Sequence, residues 1–232
     1  MSIMVVGGSK GLGRAIVEAL RLDGSTVVGV SRSAPSDLAG PWITADFSTP
    51  EAAVATLADQ CPTDLDTLIW NLGIWEPTAF TDAYRFDAAP DTVTAELIAT
   101  NVTAPILALR ALIPTLLASG APRVILTGST SALRQSGRPE VAFGASKTAL
   151  NGIADALRES YREEGLRVTT LQLGDLNTED GLEVAATDAA SRGDGALVPV
   201  HDVVSMIRAL LSLSPASFVR EIVMPAVRDP RF

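Results

Sequence analysis

The chain has 232 residues, 47% of them hydrophobic and 19% charged, which supplies one large buried core and excludes a disordered chain. Eighteen lysines and arginines against 27 acids leave a net charge of −9 with no basic block, so nucleic acid is not an expected partner. The single cysteine, Cys61, excludes an intramolecular disulfide. With no unbroken apolar run of about 18 residues and no charged leader, a cytoplasmic protein without membrane attachment is expected.

In chain order, "IMVVGG" reads as a strand and residues 11–22 as the helix after it. Asp23-Gly24 marks a turn before a second strand, "STVVGVS". A helix over 50–60, strand "LDTLIWN", a long helix over 92–119 and strand "RVILTGS" follow. A helix over 142–164, strand "RVTTLQL", a helix over 201–213 and strand "REIVMP" complete the alternation. Strands apolar on both faces and separated by helices predict a parallel sheet covered on both sides: a doubly wound α/β domain spanning residues 1–232. The polar, small-residue segment 179–196 reads either as a substrate lid or as an ordinary connection with a short helix.

Between the first strand and helix, "VVGGSKGLG" places Gly7, Gly11 and Gly13, residue types that permit a tight turn and close backbone approach. Free amides at the following helix start attract phosphate. Lys10 lies in this loop, and Ser31 and Arg32 end the second strand, where an adenosine ribose would lie. Two cations there suit the 2′-phosphate of NADP(H), although each read alone is an ordinary surface charge.

These features, with "ADF" at 45–47, "NLG" at 71–73, "ATNVTAP", "ILTGSTS", "AFGASKTAL" and "LGDLNT" at 173–178, make the sequence resemble the short-chain dehydrogenase/reductase family over almost its whole length. The resemblance implies a single Rossmann-like domain with a mostly parallel seven-stranded sheet. It also implies a cofactor site of Gly7, Ser9, Lys10, Gly11, Leu12, Gly13, Ser31, Arg32, Asp46, Phe47, Asn71, Gly73, Lys147, Gly174 and Thr178. Asp46 and Phe47 would lie against adenine, and Gly174 and Thr178 near the nicotinamide carboxamide. Val6 replaces a frequent threonine and Leu173 replaces a proline in the family pattern.

The family's catalytic group is Asn, Ser, Tyr and Lys. Here Asn101, Ser129 and Lys147 match, and Phe143 stands at the tyrosine position. Asn101 would position a water and Lys147, Lys147 would hold the nicotinamide ribose, and Ser129 would orient the substrate oxygen. Hydride transfer to a carbonyl needs a proton donor for the developing alkoxide, and Phe143 has none. Three explanations are open: a deliberate Tyr-to-Phe change, a natural departure using Ser129, Ser131 or a Lys147-linked water, or a cofactor-binding protein without redox chemistry. A non-redox isomerase or dehydratase in the same pocket is a further alternative. The expected function is an NADP(H)-dependent oxidoreductase for a small-molecule carbonyl or alcohol.

Trp70 reads as core, whereas Trp75 fits either the substrate pocket or a buried place beneath the next loop. Arg134 and Arg138 face solvent or an acidic substrate, and Leu133 borders a partly apolar pocket. His201 suits a capping role, and no cluster of ligand-type residues predicts a metal. The apolar long helices and the family resemblance predict a homodimer or homotetramer.

Overall fold

The computed structural model describes residues 1–232. Its first strand, β1 (Ser2–Val6), is buried along its whole length, and its side chains alternate between two cores. Met4 and Val6 face one helical layer, Ile3 and Val5 the other, as the two-residue period of a strand requires. Helix α1 (Gly11–Leu22) buries Leu12, Ala15, Ile16, Val17, Ala19 and Leu20 along one side and ends at Asp23-Gly24, where Gly24 has φ 82°. Strands β2 (Thr26–Ser31) and β3 (Trp42–Thr44), helix α2 (Pro50–Gln60) and strand β4 (Thr67–Trp70) follow.

The single long helix expected over 92–119 is instead two helices, α3 (Asp91–Ile98) and α4 (Ala104–Ala118), joined by a π-helical turn at Ala99–Thr103. Pro105 is the physical reason: it has no N–H for the carbonyl of Asn101 and its ring would clash there, so the turn widens. By length and composition the stretch Asp91–Ala118 could cross a membrane, but half of its most apolar window is buried within the fold. Strand β5 (Arg123–Thr127), helix α5 (Val141–Ser160), strands β6 (Arg167–Leu173) and β7 (Leu176–Asn177), helix α6 (Ala186–Ser191) and strand β8 (Val198–Pro199) come next. Helix α7 (Val200–Ser212) and strand β9 (Glu221–Met224) end the chain.

Seven strands form one sheet in the order β3-β2-β1-β4-β5-β6-β9, and every pairing is parallel. Strands β7 and β8 form a separate parallel pair. One core lies beneath α2 and α4 and includes Leu57, Leu68, Trp70, Leu109, Leu112 and Val124. The other lies beneath α1 and α7 and includes Ile16, Leu20, Ile69, Ile125 and Ile207. Each fully buried side chain of this size contributes about 1.5–3 kcal/mol. The order reverses between β1 and β4, so the loops after those strands diverge and leave a crevice at their carboxyl ends.

Segment 179–196 contains α6 and a short turn at Arg192–Gly195 and is tethered throughout. Asn177 Nδ2 donates to Asp180 Oδ2 at 2.8 Å and to the Ala189 carbonyl at 3.1 Å, and Arg192 pairs with Asp180 at 2.5 Å. Arg228 pairs with Asp194, and His201 Nε2 meets the Val184 carbonyl at 2.9 Å, so the one histidine serves this connection.

Candidate active site

The glycine turn after β1 is built for close approach. A methyl on Gly7 would lie 2.9 Å from the backbone nitrogen of Leu72, and one on Gly13 only 1.9 Å from the Gly7 carbonyl oxygen. Helix α1 and the loop after β4 therefore close on Gly7 from two sides. Gly11, at φ 54°, faces Thr178, whose Cβ would lie 3.3 Å from such a methyl. The first turn of α1 has neither a capping side chain nor an acid, which leaves its amides for a ligand. Lys10 and Arg32 are exposed and neither enters an ion pair.

Other residues expected at this end have further employment. The Ser31 hydroxyl donates to the Ser33 carbonyl at 2.7 Å and accepts from Trp42 Nε1 at 3.0 Å. Leu12 lies in the core, so only its backbone faces the turn. Asp46 is exposed; a backbone bond from Ser48 and the nearby Arg32 charge help hold its carboxyl below the usual range. The Phe47 ring points inward and packs edge-on against Trp70 at 5.2 Å, so its side chain belongs to the core and not to an adenine face. Gly174 packs against Pro225, whose Cα would lie 3.0 Å from an added methyl, and Asn71 Nδ2 reaches the Gly7 carbonyl at 3.5 Å.

Two of the residues expected at the chemical end, Lys147 and Asn101, meet beside Gly73, where a methyl would lie 3.0 Å from Lys147 Nζ and 3.7 Å from Asn101 Oδ1. Asn101 spends its side chain on scaffolding. Its Oδ1 accepts from the Ile74 amide at 2.8 Å, and its Nδ2 donates to the Ile74 carbonyl at 2.7 Å and to Ser146 Oγ at 3.0 Å. Both of its N–H bonds are thus committed to the protein. Lys147 is buried and makes one bond, to the Thr127 carbonyl at 2.9 Å; burial lowers its pKa to about 8.

Ser129 caps a short turn at Thr130–Ala132. Its Oγ accepts the Ser131 amide at 3.1 Å, while its own O–H donates to no protein group. The Ser129 amide donates to Oε1 of Gln172 at 3.0 Å. Gln172 is completely buried, and its Nε2 is held by Asn151 Oδ1 and Glu221 Oε1, each at 2.7 Å. Gly128 packs closely on this residue: a methyl there would lie 2.3 Å from Gln172 Oε1, so a larger side chain would displace the amide that holds Ser129. Ser131 Oγ is buried without a partner.

Phe143, 6% exposed, sits in a small apolar cluster with Leu97, Ala142 and Ile74. Lys147 Nζ stands 5.7 Å from its ring centroid. Phe80 and Trp75 pack edge-on against it at 5.1 and 6.4 Å. The start of α5 is held by acids that the sequence reading did not single out. Buried Glu76 accepts the amides of Ala142 and Phe143, at 3.1 and 3.4 Å, and buried Glu140 accepts that of Phe80 at 2.9 Å. The one phenol in this region, Tyr84, accepts the Val141 amide at 2.9 Å and lies 3.5 Å from Glu76 Oε1; burial, foremost, raises its pKa. Nothing in the local sequence flags these partners, because residues 76 to 84 meet residue 140 only through the fold.

Of the two arginines considered for an acidic substrate, Arg138 is claimed by Asp175 and Asp229, at 3.2 and 3.3 Å, with 5% of its side chain exposed. Arg134 is exposed.

The family model for short chain dehydrogenase matches residues 1–188. The chain belongs to the short-chain dehydrogenase/reductase family. It is therefore an enzyme of the family's oxidoreductase class, whose members use a nicotinamide cofactor and a small-molecule substrate. No curated protein matches the sequence significantly. Several solved structures share the short-chain dehydrogenase/reductase fold at low identity. The serine dehydrogenase from Escherichia coli has a TM-score of 0.78 at 19% identity, covering 98% of each chain. The alcohol dehydrogenase from Thermococcus sibiricus, complexed with 5-hydroxy-NADP, has a TM-score of 0.78 at 18% identity, covering 97% of this chain and 96% of that one. A 4-hydroxyisoleucine dehydrogenase complexed with NADH has a TM-score of 0.78 at 20% identity, covering 97% of each.

Proposed function

We propose that this protein is an NADP(H)-dependent oxidoreductase that moves hydride between nicotinamide and a carbonyl or alcohol carbon. The observation that carries the reading is the convergence of Lys147, Asn101 and Gly73 beside a glycine turn that ends in uncapped helix amides. Gly7, Gly11, Gly13 and the start of α1 hold the pyrophosphate, while Lys10 and Arg32, both free of ion pairs, take the 2′-phosphate. Lys147 turns its unbonded ammonium protons to the nicotinamide ribose. When bound, the cofactor supplies or accepts the hydride. Ser129 directs its free O–H at the substrate oxygen, and Asn101 fixes the Ile74 backbone next to Lys147. Segment 179–196, which follows Thr178 beside Gly11, is the candidate lid of this site.

With no phenol at position 143, the Ser129 hydroxyl and water at Lys147 carry the proton, so carbonyl reduction is slow. General acid catalysis is worth about 10²–10⁴-fold. Phe143→Tyr is therefore expected to raise NADPH-dependent reduction at least about tenfold, followed as loss of NADPH absorbance over a panel of aldehydes and ketones. Tight NADPH binding with no gain on any of them would overturn the assignment of position 143 to the proton step. Failure to bind NADPH would overturn the function.

Exposed Ile106 on α4 and Val141 on α5 favour self-association into a dimer or tetramer. The lone free Cys61 suits a reducing compartment such as the cytoplasm.

A further inference from the structure

The wall around Phe143 contains more than hydride transfer requires. Trp75, Phe80 and Phe143 meet edge to face, with Trp75 and Phe80 6.0 Å apart and each in contact with Phe143. Trp75 and Phe80 remain 56% and 42% exposed, so two large apolar surfaces stay open to water beside the candidate catalytic residues. Phe80 also stands at φ 65°, a left-handed conformation that is an outlier for a bulky residue and persists only where its surroundings enforce it. The enforcing contact is the bond from the Phe80 amide to Glu140, the residue immediately before α5. Phe80 is thus anchored at the start of the helix that carries Phe143 and Lys147.

We infer that Trp75 and Phe80 bind the aromatic ring of a neutral aryl ketone or aryl carbinol whose oxygen lies toward Ser129. The inference rests on the oxidoreductase reading above and adds its substrate class. Apart from exposed Arg134, the charges around these rings are already engaged or closed off, which favours a neutral molecule. Arg138 is occupied by two aspartates, and Lys147 is committed to the Thr127 carbonyl and, in the reading above, to the nicotinamide ribose. The unpartnered Oε2 atoms of Glu76 and Glu140 are closed to solvent, so a substrate ammonium would not reach them. Aromatic rings prefer edge-to-face neighbours, and another ring extends the pattern that these three side chains already form. A saturated ring of equal size buries similar area without that preference, which is worth about two- to tenfold in affinity.

The test uses the full chain saturated with NADP⁺, so that a ketone binds without turnover, and calorimetric titration of acetophenone against cyclohexyl methyl ketone. Acetophenone is expected to bind at least about threefold tighter to the wild-type protein. The preference should vanish in Trp75→Leu and in Phe80→Leu, with NADP⁺ affinity unchanged in both. Equal affinities in the wild type, or a preference that survives Trp75→Leu, overturn the aryl assignment while leaving the oxidoreductase reading intact. Failure of NADP⁺ itself to bind overturns both.

Discussion

Lys147 shows how a single residue's identity and its surroundings divide the explanation. Its place four residues after Phe143 is legible in the sequence, but its enclosure is not, and the enclosure sets its chemistry. Burial lowers its pKa from 10.5 to about 8. Below about pH 8 the group is charged in both folded and unfolded chains, and the folded state bears the full cost of burying that charge. Between pH 8 and 10.5 the unfolded chain still holds a proton that the folded chain has released, so stability rises with pH across this window. The shift corresponds to about 3 kcal/mol. The unfolding free energy of the wild type minus that of Lys147→Met, from urea denaturation, should therefore increase by an amount of that order between pH 7.5 and 10.5. A flat difference would mean that the ammonium is solvated in the fold. Phe143 is likewise singled out by the sequence through its spacing from Lys147, while the rings that cover it come from a loop more than fifty residues earlier.

At the scale of elements, the glycine turn explains why helix α1 begins where it does. An exposed helical glycine replaced by alanine usually gains about 1 kcal/mol, because alanine restricts the unfolded chain. Gly13→Ala should do the opposite, since its methyl would collide with the Gly7 carbonyl and push α1 off the turn. A loss of about 1–3 kcal/mol in thermal or urea unfolding is expected, together with weaker NADPH binding. Gly152→Ala on α5 is the control: nothing lies within 4 Å of its added methyl, and it should be neutral or stabilising. If Gly13→Ala behaves like Gly152→Ala, the close packing of α1 on Gly7 is wrong. The main alternation of strands and helices was readable, because buried strands and amphipathic helices leave distinct periods, whereas β3, β7 and β8 are too short to leave one. The break between α3 and α4 was not anticipated, since an apolar stripe continues across it and only Pro105 marks the place.

Across the whole molecule, the C-terminal residues act as a clasp. Asp229, whose side chain is 2% exposed, meets Arg138 from the loop after β5, while the Arg228 amide bonds the Gly195 carbonyl at 2.8 Å beside the proposed lid. Removing one partner of a buried ion pair costs about 3–5 kcal/mol; Asp229→Ala belongs at the lower end because Arg138 keeps the half-exposed Asp175. Urea denaturation should show a loss of about 3 kcal/mol, and a change below about 0.5 kcal/mol would place Arg138 among ordinary surface pairs. By itself the sequence determined the doubly wound class, the glycine turn and the identities of Asn101, Ser129, Phe143 and Lys147. These depend on local periodicity and on short motifs whose residues are close in the chain. Only the tertiary structure decided that Asn101 is consumed by Ile74, that Gln172 holds the Ser129 backbone, and that Phe47 faces the core. It likewise decided that Arg138 is clasped by two aspartates and that Trp75 and Phe80 wall the site. Each of those outcomes is a contact between groups remote in sequence, set by which strand ends and helix starts the sheet brings together.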